Sequence, residues 1–395
     1  MPLNPSDFTI TSIKDDLVGT RKALHRIPEV GFQETKTASY VADYLENLGL
    51  DVTRGVAGTG VVALLRGEQA GPTLALRACL DALAMTECSG VDYASEHPGV
   101  FHGCGHDGNM TFVLGAATVL SKHRDRLHGN VKFIFQPSEE ETGGAAAIIR
   151  AGGLKNPDVD AIIHLHNWHD LEEGVIAIKA GPVLASSDTF RVEIIGSPGH
   201  GAWPHLAVDP VVIAAEVITG LQKILSREID PLKPALLTIG RIHGGTAVNI
   251  IPKSVVIEGL VRAYHPDVRD HLQARIEEVV QGITRAARAT HQITYHRIMP
   301  PVNNDETLAA WAAQVLGRLA EPPITLTDAT PGGMGAEDFS LYQQDIPGLF
   351  LFIGKDQPGH DVVPIHAPNY VFNDETLVVG VNALCALALD FCQKP

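Results

Sequence analysis

The chain has 395 residues, more than one ordinary compact core accommodates, so two domains are expected. Hydrophobic residues make up 45% and charged residues 19%, as in a soluble globular protein, and no stretch reaches the ~18 uninterrupted apolar residues of a membrane span. With 30 Lys and Arg against 46 Asp and Glu, the formal net charge is −16, which argues against nucleic acid and anionic membranes as partners because both demand basic surface.

The first segment, 6–28, carries apolar residues at helical spacing and stops at Pro28. It shows no basic stretch followed by an apolar run, so no signal peptide is expected there. A second helix is expected over 34–50, closed by Gly49 in a C-cap position. β-like runs at 52–67 and 72–83 precede a helix at 109–123. The apolar strands at 130–140 and 160–168 turn polar only at their C-terminal ends. Helices alternating with such strands predict an α/β sheet whose chemistry lies along its carboxyl edge.

Near residue 185 the period changes. Strands at 188–199, 235–245, 254–265 and 291–299 and helices at 210–225 and 268–290 follow in the order β-α-β-β-α-β, a split module that stands as its own domain. Helix, strand and closing helix resume after Pro300. The expected organisation is therefore a discontinuous domain, 1–184 plus 300–395, interrupted by an inserted one at 185–299. Cys79, Cys88, Cys104, Cys385 and Cys392 form an odd, sparse set, which suggests reduced thiols and a cytoplasmic location.

Four short motifs carry candidate chemistry. HGCGHD places Cys104 and His106 two apart in a glycine-rich turn before a helix, where both side chains can face one point. QPSEEE ends a strand in carboxylates, and on an extended chain Glu139 and Glu140 point opposite ways and can take two roles. HLHNWHD puts His164 and His166 on one face of a strand, with one sufficing as a ligand. VVPIHAPNY holds His366 in a proline-bounded loop. Each alone is also readable as an ordinary surface turn or loop. Together they lie on one sheet edge and can hold two divalent ions, which polarise a carbonyl and acidify a water while a neighbouring carboxylate moves its proton.

These residues, with RKALHRIPEVGFQETKTA, SPGHGAWPHLAVDP, AVNIIP, GGMGAEDFSLY and PIHAPNYVFNDE, resemble the M20 metallopeptidase family nearly end to end, in its amidohydrolase branch. That branch includes hippurate hydrolases, N-acyl-amino-acid amidohydrolases and indole-acetyl-amino-acid hydrolases. The resemblance implies a mixed-sheet, zinc-peptidase-like catalytic domain with an inserted ferredoxin-like dimerisation or lid domain. It implies two divalent ions per subunit (manganese, zinc, cobalt or nickel) held by Cys104, His106, Glu140, His166 and His366. Glu139 would be general base and then acid. His200 would stabilise the oxyanion, Asn249 and Arg262 would hold the substrate, and Asp107 would orient an imidazole behind the ligands. Glu337 and Asp338 would lie near the site without ligating.

Two departures fall near the site. The family usually reads RADMDALP where this chain has RACLDALA, with Cys79 for Asp and Ala84 for Pro, and it usually has His at the position of Asn109. Related branches carry a ligand His at the position of Cys79, which could ligate, pair with Cys104 on oxidation or be inert. The leading expectation is hydrolysis of a small amide such as an N-acyl amino acid by a homodimer. The departures keep open a hydrolytic deaminase of aromatic amines or amidines, and a non-catalytic metal- or small-molecule-binding protein on the same fold.

Overall fold

The computed structural model describes residues 10–141, 143–319, 324–329 and 333–393. The chain divides into two compact units, 1–181 with 303–332 and 341–395, and 182–302 with 333–340. Residues 6–9 of the first expected helix and Gly332 of the GGMGAEDFSLY motif lie outside the described residues.

The first unit opens with a 3₁₀ turn, Ile10–Ile13, and helix α1 (Lys14–Arg26), which starts later than its apolar pattern predicts. Helix α2 (Thr35–Asn47) follows, then strands β1 (Asp51–Val56), β2 (Gly60–Arg66) and β3 (Gln69–Cys79). The single run read at 52–67 is a hairpin, because Gly58 at φ 103° turns the chain between β1 and β2. Helix α3 (His106–Ser121), β4 (His128–Gln136), α4 (Gly144–Arg150), β5 (Ala161–Glu172) and β6 (Val175–Ala177) complete this stretch.

The second unit holds β7 (Ser187–Ile195), α5 (Pro210–Arg227), β8 (Ala235–Gly244), β9 (Ser254–Ala263), α6 (Pro266–Ala286) and β10 (Thr290–Met299). This is the β-α-β-β-α-β order expected from sequence. Its sheet runs β8-β9-β7-β10, antiparallel throughout. Alternate residues of β7 are buried, so one face meets a core of Phe190, Val192 and Ile194 with Val217, Leu221, Leu272 and Ile276 from the two helices. Asp209 caps α5 by accepting from the Val211 N–H, with Pro210 in the first turn.

The chain returns to the first unit with α7 (Glu306–Leu316), β11 (Thr325–Thr327), β12 (Gly348–Asp356) and α8 (Thr376–Phe391). Its mixed sheet runs β1-β2-β4-β3-β5-β12-β6-β11, and the four central strands β4, β3, β5 and β12 are parallel. Residues 161–168 of β5 are all buried, as a strand covered on both faces must be. Helix α3 is buried on almost every side, packed with α1, α8 and β3, which explains its nearly uniform apolar sequence. The parallel centre brings the carboxyl ends of β3, β4 and β5 to one edge.

Candidate metal centre and active site

The turn between β3 and α3 is set by Gly105, the residue between Cys104 and His106. Gly105 adopts φ 78°, and a Cβ there would lie 2.4 Å from Asn167 Nδ2 and 2.5 Å from the Tyr370 hydroxyl. Only glycine fits that backbone and that space. Asn167, on β5, donates from Nδ2 to the carbonyls of Cys104 (3.0 Å) and Gly105 (3.2 Å). Tyr370 donates to Asn167 Oδ1 at 2.5 Å. The turn is thus fastened to the sheet before any ligand is considered.

Asn109 belongs to the same clamp. Its Oδ1 accepts from the backbone N–H and the side-chain Nδ2 of Asn167, both at 3.0 Å. This departure from the family pattern is a buried packing contact on α3.

The expected donors of the first unit converge. Donor atoms of Cys104, His106 and His166 lie within 4.8 Å of one another, as do those of Cys104, Glu140 and His366, and those of His106, Glu139 and Glu140. Cys104 Sγ is 3.6 Å from His166 Nε2, and Glu140 Oε1 is 3.3 Å from His366 Nε2 and 4.0 Å from His106 Nε2. The expectation that Glu139 and Glu140 point opposite ways does not hold. Strand β4 ends at Gln136, and Ser138 at φ 47° breaks the extended backbone, so both carboxylates reach His106. His366 also sits at positive φ, 66°, with its N–H donated to the Gly103 carbonyl at 2.8 Å, which ties its loop to the Cys104 turn.

Carbonyl oxygens only accept, so the ring tautomers follow. His106 Nδ1–H donates to the Asp81 carbonyl (2.8 Å) and His166 Nδ1–H to the Asn167 carbonyl (2.6 Å), so in the neutral ring each Nε2 carries the lone pair. Asp81, which none of the four motifs includes, also accepts the Glu140 N–H on Oδ2 at 2.8 Å. Its position two residues beyond Cys79 at a strand end was the available signal.

The imidazole that Asp107 meets is that of His25 rather than one of the candidate ligands. Its carboxylate meets His25 Nδ1 at 2.7 Å and Arg21 at 3.5 Å, while Asp81 holds His106. Burial opposes the Asp107 charge, but His25 and Arg21 keep its carboxyl well below the usual range. No sequence signal joins His25 to Asp107, because 82 residues separate them.

The second unit places the other expected residues. His200 pairs with Ile250 in a short ladder, and Gly201 N–H donates to the Asn249 carbonyl at 2.8 Å, so exposed His200 and Asn249 are neighbours. Arg262 lies on β9; burial lowers its pKa, with the Asp188 charge opposing. Asp338 is fully buried and Glu337 nearly so.

Electrostatics fit a cation at the first unit's cluster. Burial works against a charge on His106, but Asp81 and then Glu140 raise its pKa to about 9. A field that favours a proton there also favours a metal ion. His106 Nε2 is buried without a hydrogen-bond partner among the described residues, as an imidazole reserved for a ligand would be. Thiol, imidazole and carboxylate donors on one sheet edge are the equipment of a metal-dependent hydrolase.

The comparisons agree with that class. A model of peptidase family M20/M25/M40 matches residues 75–390, and the chain belongs to this family. It is a metal-dependent amidohydrolase. The N-acetyl-L-cysteine deacetylase of Bacillus subtilis is 38% identical over 94% of this chain and 86% of its own length. An IAA-amino acid hydrolase of Arabidopsis thaliana is 38% identical over 97% of this chain and 88% of its own. A solved Bacillus subtilis structure described as a dinuclear metal-binding peptidase of family M20 is 32% identical, covers 98% of this chain and 100% of its own, and superposes with a TM-score of 0.86. No helix among the described residues is long and apolar enough to cross a membrane.

Proposed function

We propose that this enzyme hydrolyses the amide bond of N-acyl amino acids or similar small amides, using two divalent cations held by Cys104, His106, Glu140, His166 and His366. The observation that carries this reading is the convergence of those five donors, with Glu139 beside them. Cys104 is common to the Cys104/His106/His166 and Cys104/Glu140/His366 groups, so its thiolate would be available to either donor set. Bound cations would polarise the scissile carbonyl and bring the pKa of a water near neutral. Mixed sulfur, nitrogen and oxygen donors suit zinc, manganese, cobalt or nickel.

The chain's own residues then do the following. Glu139 takes the proton of the attacking water and delivers it to the nitrogen as the C–N bond breaks, releasing a carboxylic acid and an amine. Arg262 pairs with the carboxylate of the amino-acid portion, which its planar fork of donors matches. His200 and Asn249 supply donors to the oxyanion and the substrate, within one subunit or across a homodimer. A homodimer is supported by apolar surface on the second unit, where Leu206, Ile242, Val248 and Ile250 are exposed.

A panel of N-acyl amino acids, run beside aromatic amines with ammonia detection, tests the substrate class. Acid release from the acyl amino acids, abolished by chelation and restored by divalent metal, is the expected result. Ammonia release from the amines alone would replace this reading with a deaminase.

A further inference from the structure

Cys79 is the last residue of β3, fully buried, at the edge where the metal donors gather. Two sets of donors meet it. Its sulfur lies within 4.8 Å of a carboxylate oxygen of Asp81 and a ring nitrogen of His106. It also lies within 4.8 Å of a ring nitrogen of His164 on β5, itself fully buried. The sheet register makes this neighbourhood, because Arg77 on β3 pairs with His164 and Cys79 follows two residues on. The Nδ1–H of His164 donates to the Arg77 carbonyl at 2.7 Å, so its Nε2 carries a lone pair. Asp81 Oδ1 is buried, 3.6 Å from His106 Nδ1 and without a hydrogen bond of its own among the described residues. In a tetrahedral site, bonds of about 2.0–2.3 Å hold donor pairs about 3.3–3.8 Å apart, so side-chain rotation draws this group in by about 1 Å to close on an ion.

We infer that Cys79 is a second thiolate of the metal centre, set beside His164 and the His106–Asp81 pair, and that it biases the centre toward thiophilic cations. This rests on the metal centre proposed above and extends it from one sulfur donor to two. A soft donor favours zinc, cadmium and cobalt over manganese, whose preference is for oxygen. Binding displaces the thiol proton to solvent, so the step involves no oxidant or reductant.

Cadmium titration tests this, because thiolate-to-cadmium charge transfer absorbs in the ultraviolet in proportion to the bound thiolates. The intact protein is expected to show a band that falls clearly in Cys79→Ser, and by at least as much in Cys104→Ser, while Cys79→Ser still binds cadmium. Cys79→Ser should also weaken zinc relative to manganese in direct competition by at least ~10-fold. X-ray absorption of the zinc-loaded intact protein, which requires no variant, should count more sulfur neighbours than Cys104 alone provides. An undiminished band in Cys79→Ser, or a sulfur count that Cys104 alone accounts for, overturns the inference and leaves the centre standing. An intact protein that takes up no cadmium overturns both.

Discussion

Replacing Gly105 with alanine perturbs the turn that carries Cys104 and His106. Two costs add. A β-carbon at φ 78° is disfavoured by roughly 1–2 kcal/mol. The same carbon would sit 2.4 Å from Asn167 Nδ2 and 2.5 Å from the Tyr370 hydroxyl, so the clamp must shift, and overpacking of this kind costs about 1–3 kcal/mol. The sum, about 2–5 kcal/mol, lowers the melting temperature of a unit this size by roughly 4–10 °C. Gly99 is the control, because it has φ 79° but nothing within 4 Å of its added carbon. Thermal melts of the chelated proteins should therefore place Gly105→Ala well below Gly99→Ala. Equilibrium dialysis should show at least ~10-fold weaker zinc binding for Gly105→Ala alone, because the displaced clamp misplaces two ligands. If Gly105→Ala melts with Gly99→Ala and binds zinc normally, Asn167 and Tyr370 do not hold the turn.

His102 and the second unit give two more predictions. Burial lowers the His102 pKa to about 3, and neither ring nitrogen has a hydrogen-bond partner among the described residues. Its neutral form thus contributes stability that is complete above the unfolded value of about 6.5 and is lost as pH falls toward about 3, at roughly 1.4 kcal/mol per pH unit. Urea unfolding of the chelated protein at about pH 6 and about pH 4 should show a shallower acid loss for His102→Phe, and an unchanged slope would contradict the burial argument. For the second unit, sedimentation at micromolar concentration should give a dimer mass that falls to the monomer when Ile242 and Val248 are both replaced by Asp; a monomeric unaltered protein contradicts the homodimer.

The parts of the fold with strong local periodicity were legible in the sequence. The alternation of β7 and the long apolar faces of α5 and α6 marked the β-α-β-β-α-β module. The donors were legible because turn chemistry and strand ends are local features, as with Cys104 and His106 around Gly105. Readings failed where backbone turns or distant partners decide geometry. The positive φ at Ser138 brought Glu139 and Glu140 to the same side, against the period-two rule. Asp107 found His25 and Arg21 on α1, and Asn109 found Asn167 on β5. Such pairings join segments more than 50 residues apart, which no local pattern records.

Glu139 is the proposed proton carrier at a metal centre built by five other residues. Glu139→Gln keeps the side chain's size while removing its basicity. Turnover of an N-acyl amino acid by that variant should fall at least ~100-fold, with bound metal per subunit unchanged from the unaltered protein. Turnover near that of the unaltered enzyme, at equal metal content, would contradict the account.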